Sequence, residues 1–327
     1  MKIALFSAKS YDRESFGQFQ GKHQIDYFDT ALTPNTLALA DGYDGICVFV
    51  NDHLDSRVLE GLHKRNIHAI FLRCAGFNNV DLDIAKSLGI HVYRVPAYSP
   101  EAVAEHAMAL ILCLSRKIHK AYTRVRDNNF SLERLTGFTL HGKKLGIVGT
   151  GHIGKCLAKI ALGFGCHILA FDVKPDEELV KMGVRYCSQE ELFEKSDIIS
   201  LHVPLLPETK HMINKKSMAC MKDGVMIINT SRGALIRTKD VIKALKVGKV
   251  GYLGIDVYEQ EENLFFEDLS EKIIQDDLVS RLMTFPNVLI TSHQAFLTKE
   301  ALHEIAFTTL NNMSDHENGI HSQNRIT

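Results

Sequence analysis

The sequence predicts an α/β protein built from two parallel sheets covered by helices. Short apolar runs typical of β-strands alternate with helical stretches nearly throughout the 327 residues, which is the pattern of parallel sheets with helices on both faces. The chain is long enough for two domains that each bury a core. A glycine-rich turn between an apolar run and a helical stretch also favours this class.

The first part of the chain carries four predicted strands and two predicted helices. The strands are expected near residues 2–6, 44–50, 68–73 and 91–94, and the helices near 53–63 and 81–88. Ser99 and Pro100 then begin a long helix, because serine is a preferred N-cap and proline fits the first helical position. This helix is predicted to continue to about Asn128. Its apolar surface is too wide for one stripe, so we expect burial on more than one side.

The second part carries six predicted strands, as many as a complete dinucleotide-binding sheet needs. They are expected at 144–148, 167–171, 197–201, 225–229, 251–255 and 287–291. The mixed stretch from Glu259 to Phe285 predicts no clear element. A last helix is expected near 298–314, followed by a polar tail that we expect to be loosely held.

The glycine-rich turn Gly149-Thr-Gly151-His-Ile-Gly154 lies between a predicted strand and a predicted helix. In dinucleotide-binding βαβ units such glycines form a tight turn and let the backbone approach a pyrophosphate, which the helix N-terminus binds. Asp172 ends the next apolar run, roughly 20 residues later. A carboxylate there can accept hydrogen bonds from the adenosine ribose and repel a 2′-phosphate. An ordinary glycine-rich turn is the alternative, but the strand, the helix and the distant acid together favour dinucleotide binding. The acid itself predicts NAD rather than NADP.

Polar side chains follow the later predicted strands. Because the carboxyl ends of parallel strands share one edge, where ligands bind, these side chains are site candidates. They include Thr230, Ser231 and Arg232 after one strand, Glu261 a little beyond the next, and His293 after the last. Taken singly, each has an ordinary structural interpretation. Their placement on one predicted edge favours a shared site.

An arginine, a glutamate and a histidine suit carbonyl reduction by a nicotinamide. His293 is the predicted proton donor, because histidine titrates near neutral pH. Glu261 is the predicted carboxylate that stabilises its imidazolium form. Arg232 can bind a substrate carboxylate bidentately and polarise the neighbouring carbonyl. These roles predict a 2-oxo acid substrate.

Composition and charge favour a protein that acts on small molecules. Hydrophobic residues make up 45% and charged residues 24%, and the formal net charge is −1. No block of like charges predicts a nucleic acid or a membrane surface as partner. The seven cysteines form no C-x-x-C pair, so we predict no metal site. Neither a signal peptide nor a membrane-spanning run is found, and we expect a cytoplasmic protein.

Several sequence blocks resemble the D-isomer-specific 2-hydroxyacid dehydrogenase family, and within it the bacterial fermentative D-lactate dehydrogenases. The resemblance covers essentially the whole chain. Besides the glycine-rich turn, it rests on the blocks at 6–12, 73–81, 95–101, 229–233, 254–259 and 292–296. It implies NADH-dependent, reversible reduction of pyruvate to D-lactate, with the triad on Arg232, Glu261 and His293.

The resemblance also implies a two-domain architecture. Both domains are Rossmann-like or flavodoxin-like with parallel sheets, and a cleft lies between them. Residues 1–99 plus 298–327 would form a discontinuous substrate domain, and residues 100–297 the NAD-binding domain. A homodimer formed through the region of the long helix, or a dimer of such dimers, is also implied.

Further site residues come from the resemblance alone. Backbone N–H groups of Ala75 and Gly76 and the hydroxyl of Tyr98 would bind the substrate carboxylate. Phe49 and Phe296 would form the pocket for the methyl group of pyruvate. Ordinary core is the alternative for both rings, and for Phe49, inside a strand-like run, the two interpretations are evenly balanced. On the cofactor side the resemblance adds His152, Ile153, Val203, Pro204 and, near the nicotinamide, Asp256, beside the strand-end residues Thr230 and Ser231.

Two alternative functions remain open from the sequence. One is a dehydrogenase of a larger 2-oxo acid, of the D-2-hydroxyisocaproate type. The other is an NAD-sensing interaction protein that has kept the fold without turnover, although the complete triad argues against it.

Overall fold

The computed structural model describes residues 1–19, 21, 23–261 and 264–327. They divide into two compact units, which we call unit 1 (Met1–Ser99 with Leu297–Thr327) and unit 2 (Pro100–Phe296). Among these described residues no helix has the length and apolar character needed to cross a bilayer.

The strands of the described chain, numbered in order, are β1 Lys2–Leu5, β2 Gln24–Tyr27, β3 Gly45–Val48, β4 Ala69–Leu72, β5 His91–Tyr93, β6 Lys144–Val148, β7 His167–Phe171, β8 Arg185–Tyr186, β9 Ile198–Leu201, β10 Val225–Asn229, β11 Val250–Ile255 and β12 Val288–Ile290. The α-helices are α1 Ser10–Gly17, α2 Ser56–His63, α3 Leu82–Ser87, α4 Pro100–Arg116, α5 Ile118–Arg126, α6 His152–Gly163, α7 Glu177–Lys181, α8 Gln189–Lys195, α9 Lys215–Cys220, α10 Thr238–Lys246, α11 Asp277–Met283 and α12 Lys299–Glu317. Leu37–Ala40 and Gly233–Leu235 are short 3-10 helices.

Unit 1 contains a five-stranded parallel sheet in the order β2-β1-β3-β4-β5. The C-terminal helix α12 packs against α1 and β4 of this unit. Its residues Ala306 and Met313 join Ile3, Leu5 and Phe71 of the strands in one core cluster. Burial of this apolar face therefore attaches the end of the chain to the sheet formed by its beginning.

Unit 2 contains a seven-stranded parallel sheet in the order β12-β11-β10-β9-β6-β7-β8. Successive residues of a strand point to opposite faces, and Ile227 and Ile228 of β10 belong to two different core clusters. Helices therefore cover both faces, as the apolar runs of a buried parallel sheet require. The predicted α/β class with two parallel sheets is confirmed.

The predicted long helix is wrong in its extent. It begins at Pro100 as expected and packs against both α6 and the strands β10 to β12. However, Lys117 has φ 53° and separates α4 from α5. A left-handed residue cannot continue a right-handed helix.

Other predictions from the sequence also need correction. Strands β2 and β8 and helix α1 were not predicted, and α11 lies in the stretch for which no element was predicted. The polar tail is held to β5, because the N–H of Arg94 donates to the carbonyl of Asn324 at 3.0 Å and that of Ile326 to Val92 at 2.9 Å.

Candidate active site

The candidate residues of unit 2 follow strand ends on one edge of its sheet. The chain continues from β6 into Gly149, from β7 into Asp172, from β10 into Thr230 and from β11 into Asp256, and His293 follows shortly after β12. Because all pairings of this sheet are parallel, these strands end at the same edge, which is where ligands bind in such sheets.

The glycine-rich turn has the shape of a dinucleotide cradle. Gly149 has φ +91°, and a side chain there would meet the carbonyl of His202. A Cβ on Gly154 would collide with the carbonyl of Gly149, so only glycine allows helix α6 to start this close to β6. Gly151 is the N-cap of α6 and has open space where a Cβ would lie. The first-turn N–H groups, which include those of His152 and Ile153, lack intrahelical acceptors and suit a pyrophosphate.

Asp172 lies directly after β7 and is bonded to the glycine-rich turn. Its Oδ2 accepts hydrogen bonds from the backbone N–H of Thr150 at 2.6 Å and from the Thr150 hydroxyl at 3.1 Å. From the described residues, its Oδ1 accepts a single longer bond, of 3.3 Å, from the N–H of Lys174.

The turn after β10 is fixed by Asn229, whose side chain is buried. Asn229 accepts a bond from the N–H of Ser231 at 3.0 Å and donates to the carbonyl of Arg232 at 2.8 Å. The Ser231 hydroxyl donates to the carbonyl of Val203 at 2.7 Å, and the Pro204 carbonyl accepts from Thr209 at 2.6 Å. The Ser231 bond connects the turn after β10 to the segment after β9, and the Thr209 bond lies within that segment.

Thr230 carries a buried hydroxyl that has no hydrogen-bond partner among the described residues. Such a group costs free energy unless something pairs with it. An unpaired hydroxyl, open space at Gly151 and an acid after β7 together fit a bound dinucleotide.

Arg232 is partly buried, and its Nη1 donates to the carbonyl of Ser231 at 2.8 Å. No carboxylate within the described chain pairs with its guanidinium, which suits an anionic ligand. A Cβ on the next residue, Gly233, would collide with the carbonyl of Tyr258. The backbone after Arg232 therefore contacts the segment that leads to Glu261.

Glu261 and His293 form a hydrogen-bonded pair. Nδ1 of His293 lies 2.9 Å from Oε1 of Glu261, and both side chains are about one-fifth exposed (19% and 23%). The other oxygen, Oε2, accepts a bond from the N–H of Tyr258 at 2.8 Å, which orients the carboxylate. Because an ionised carboxylate only accepts, Nδ1 carries a proton and Nε2 is available for a ligand.

Asp256 holds the loop that carries His293. The fully buried carboxylate accepts bonds from the hydroxyl of Thr291 (2.5 Å) and from the N–H groups of Gln294 (2.9 Å) and Ala295 (2.8 Å). The carbonyl of Asp256 accepts the N–H of His293 itself at 2.7 Å.

The carboxylate of Asp256 is also close to His106 of α4, whose Nε2 lies 3.4 Å away and 3.0 Å from the Thr291 hydroxyl. Burial alone would raise the pKa of Asp256, but the bonds from His106, Thr291 and the two backbone N–H groups outweigh it and hold the pKa below its ordinary value. Sequence reasoning missed His106 and Thr291, which stand in none of the motifs named above. It also missed the N–H of Tyr258, because a backbone donor leaves no signal in the residue type.

The substrate-side candidates lie mostly in unit 1. Phe49 follows β3, is 7% exposed and has the Arg73 guanidinium 4.9 Å from its ring centroid. The carbonyls of Ala75 and Gly76 accept bonds from Arg94 (3.1 Å) and Cys74 (3.2 Å).

Tyr98 lies near the end of the first segment of unit 1, and Phe296, which is buried, is the last residue of unit 2. The structure thus pairs Glu261 with His293 directly and links Arg232 to them through the backbone.

Comparisons with known proteins identify the family of the chain. The profile of "D-isomer specific 2-hydroxyacid dehydrogenase, NAD binding domain" matches residues 108–295. The chain is 53% identical over 326 residues to a D-lactate dehydrogenase of Escherichia coli K12, covering 98% of each chain. An apo-structure of D-lactate dehydrogenase from Escherichia coli aligns with TM-score 0.92 at 49% identity over 100% of both chains.

A D-lactate dehydrogenase from Aquifex aeolicus, solved with NAD and lactic acid, aligns with TM-score 0.84 at 35% identity, covering 97% of this chain and 96% of that one. The matched NAD-binding profile spans the glycine-rich turn, Asp172, Arg232, Glu261 and His293. The chain is therefore an NAD-dependent oxidoreductase that belongs to the D-isomer-specific 2-hydroxyacid dehydrogenase family.

Proposed function

We propose that this chain catalyses the NADH-dependent, reversible reduction of pyruvate to D-lactate. The observation that carries the proposal is the 2.9 Å bond between His293 and Glu261 on the sheet edge that also bears the glycine-rich turn. The relatives named D-lactate dehydrogenase, at about half identity over nearly the whole chain, favour pyruvate and D-lactate among 2-oxo and 2-hydroxy acids.

The proposed chemistry assigns one task to each charged group. When bound, NADH supplies the hydride that reduces the carbonyl carbon. His293 donates a proton from Nε2 to the carbonyl oxygen, while Glu261 stabilises the imidazolium through Nδ1 before the transfer. Arg232 binds the substrate carboxylate with its planar guanidinium and stabilises negative charge on the neighbouring carbonyl. In the reverse direction His293 accepts the proton of the D-lactate hydroxyl.

Unit 2 would bind the cofactor, so that residues 100–297 act as the NAD-binding domain and residues 1–99 with 298–327 as the substrate domain. The residues assigned to the cofactor share a position at or just after the ends of β6, β7, β9, β10 and β11. They are Gly149, Gly151, His152, Ile153, Gly154, Asp172, Val203, Pro204, Thr230, Ser231 and Asp256. The first-turn N–H groups of α6 would bind the pyrophosphate, and Asp172 the adenosine ribose.

The substrate contacts other than Arg232 and His293, which lie in unit 1 except for Phe296, remain predictions from the family resemblance. Ala75 and Gly76 would bind the carboxylate through backbone N–H groups, and Tyr98 through its hydroxyl. Phe49 and Phe296 would enclose the methyl group, because two rings leave little space for a longer side chain. A cytoplasmic location likewise stays a prediction from the sequence.

We also propose a homodimer formed through the surface of α5 and the segment after it. Five large apolar side chains there are each more than half exposed, namely Ile118, Tyr122, Val125, Phe130 and Leu132. Such a patch is typical of a protein interface. Light scattering should find a dimer, or a dimer of dimers, and Leu132→Asp should shift it toward monomer. A wild-type protein that is monomeric at micromolar concentration would contradict this part of the proposal.

The catalytic proposal is tested by His293→Ala with pyruvate and NADH. We expect kcat to fall by about 100- to 10,000-fold, the usual contribution of a general acid, with little change in the Kd of NADH. His167→Ala is a matched control, since that exposed histidine begins β7 at the opposite edge of the sheet. If the wild-type chain binds NADH but turns over neither pyruvate nor any other short 2-oxo acid, the alternative of a binding protein without turnover is correct.

A further inference from the structure

A chain of hydrogen bonds ends on the carboxylate of Asp172. The backbone N–H of Asp176 donates to the Tyr186 hydroxyl at 3.0 Å, and that hydroxyl donates to Thr150 Oγ1 at 2.9 Å. The Thr150 hydroxyl then donates to Oδ2 of Asp172 at 3.1 Å. All four residues belong to unit 2, and sequence reasoning assigned a role only to Asp172.

The chain of hydrogen bonds from Asp176 to Asp172 has a fixed direction. A backbone N–H can only donate and a carboxylate only accepts, so both hydroxyls between them must point their hydrogens toward Asp172. Bonds aligned in this way polarise and strengthen one another. Together with the N–H of Thr150, they occupy Oδ2 and leave Oδ1 as the oxygen with capacity for a ligand.

Asp176, where this chain of hydrogen bonds begins, is held in place by a separate set of contacts. Asp176 caps α7 by accepting the N–H of Leu179 at 3.0 Å. Its second oxygen accepts Nζ of Lys155 at 2.8 Å, and the same Nζ lies 2.7 Å from Glu178. Lys155 belongs to α6, the helix that begins in the glycine-rich turn. The segment between β7 and α7 is therefore tied to that turn at two places, through Lys155 and through Thr150.

Tyr186 has a position that suits this role. It is the last residue of β8, the two-residue outermost strand of the sheet next to β7. Its ring is partly buried against the core on the face covered by α6. A phenylalanine would fill the same space. The hydroxyl is thus not required for packing, and both of its hydrogen bonds belong to the series that ends on Asp172.

We propose that Tyr186 and Thr150 are positioning residues that set the preference for NAD over NADP, because they fix the carboxylate of Asp172 with Oδ1 toward the adenosine ribose. This inference rests on the proposed assignment of Asp172 to the cofactor. When all of these hydrogen bonds are present, Oδ1 accepts hydrogen bonds from the ribose hydroxyls and repels a 2′-phosphate. Without them, the carboxylate can rotate away, which weakens NADH binding and relaxes the exclusion of NADPH.

The test measures equilibrium binding of NADH and NADPH to the purified full-length protein by nucleotide fluorescence, without substrate. For Tyr186→Phe we expect the Kd of NADH to rise about 2- to 12-fold, the contribution of one neutral hydrogen bond, while the Kd of NADPH changes less. Thr150→Val should have a similar effect and Thr150→Ser should restore wild-type binding, since serine keeps the hydroxyl. Tyr252→Phe in β11 is the matched control for loss of a tyrosine hydroxyl elsewhere in unit 2.

The outcomes separate this inference from the proposed function. An unchanged ratio of the two dissociation constants in Tyr186→Phe and Thr150→Val, whether both rise together or neither rises, overturns the inference, since a structural role alone would affect both cofactors equally. Asp172→Ala tests the underlying assignment. If that variant shifts the ratio and the Tyr186 and Thr150 variants do not, the inference alone fails. If Asp172→Ala also leaves the ratio unchanged, the assignment of Asp172 fails as well.

Discussion

Replacement of Asp256 by Asn tests how the loop that carries His293 is held. Besides His106, whose Nε2 lies 3.4 Å from Oδ1, the carboxylate accepts hydrogen bonds from the Thr291 hydroxyl and from the N–H groups of Gln294 and Ala295. An asparagine has only one acceptor oxygen, so at least one buried backbone N–H loses its partner. An unsatisfied buried donor costs about 1–3 kcal/mol, and exchange of charge-assisted bonds for neutral ones adds about 1 kcal/mol. The free energy of unfolding should therefore fall by about 2–4 kcal/mol.

For a unit of this size, that loss corresponds to a decrease in Tm of about 4–16 °C, measured by circular dichroism. Catalysis should suffer too, because the N–H of His293 donates to the Asp256 carbonyl and the loop sets the position of the imidazole. A displacement near 1 Å can cost about 100-fold in rate, so we expect kcat/KM for pyruvate to fall by about 10- to 100-fold. An equal Tm at pH 7 would refute this reasoning. A higher Kd of NADH as the sole effect would instead make Asp256 a cofactor contact and nothing more.

The same variant has a predicted pH dependence. The pKa of Asp256 in the folded chain lies below its ordinary value, so ionisation stabilises the fold. That contribution is complete above the unfolded-state pKa, about 3.9, and is lost as the pH falls through the lower folded-state pKa. The difference in Tm between wild type and Asp256→Asn should therefore be constant from neutral pH to about 5 and narrow below about 4. A difference that grows toward acid pH would contradict this sign.

Three further substitutions test the proposed catalytic roles. Glu261→Gln removes the charge that stabilises an imidazolium at His293, so the rate of pyruvate reduction should begin to decline at a lower pH; an unchanged pH profile would count against the pairing. Arg232→Lys keeps the charge but loses the planar fork, and kcat/KM for pyruvate should fall by about 10- to 100-fold, the value of a bidentate charged contact. Normal kinetics would reject bidentate binding. Phe49→Leu should shift the ratio of kcat/KM values toward 2-oxoisocaproate by about ten-fold or more, and no shift would remove Phe49 from the pocket.

Strands that are buried on both faces were the most predictable part of the fold. The predicted ranges 144–148, 167–171 and 225–229 agree with β6, β7 and β10, since uninterrupted apolar runs are what such strands require. Strand β2 was missed because its residues are half-buried or exposed and its sequence, Gln-Ile-Asp-Tyr, gives a weak apolar signal. Strand β8 has only two residues, which is too short for any periodicity.

The break between α4 and α5 could not be predicted for a different reason. Glycine and proline are the usual signals for a helix end, and the residue in the left-handed conformation here is Lys117. Its Nζ donates to the carbonyl of Arg134 at 2.9 Å. That contact joins positions with no sequence pattern between them, so it becomes visible only in the folded chain.

In the site, likewise, sequence spacing predicts which strand ends carry the functional residues, whereas long-range contacts determine the conformation of the loop that holds His293. Strand ends predicted the edge on which Glu261 and His293 lie, but His293 itself has φ 53°, a conformation that costs a residue other than glycine about 1–2 kcal/mol. A strained residue persists only where its surroundings over-determine it. Here Asp256 accepts the N–H of His293 and of the next two residues, and Thr291 and His106 in turn hold Asp256. The buried carboxylate of Asp256 therefore fixes the loop so that the imidazole contacts Glu261. These hydrogen bonds, and not the spacing of the triad in the sequence, explain how a histidine can occupy a backbone conformation that favours glycine.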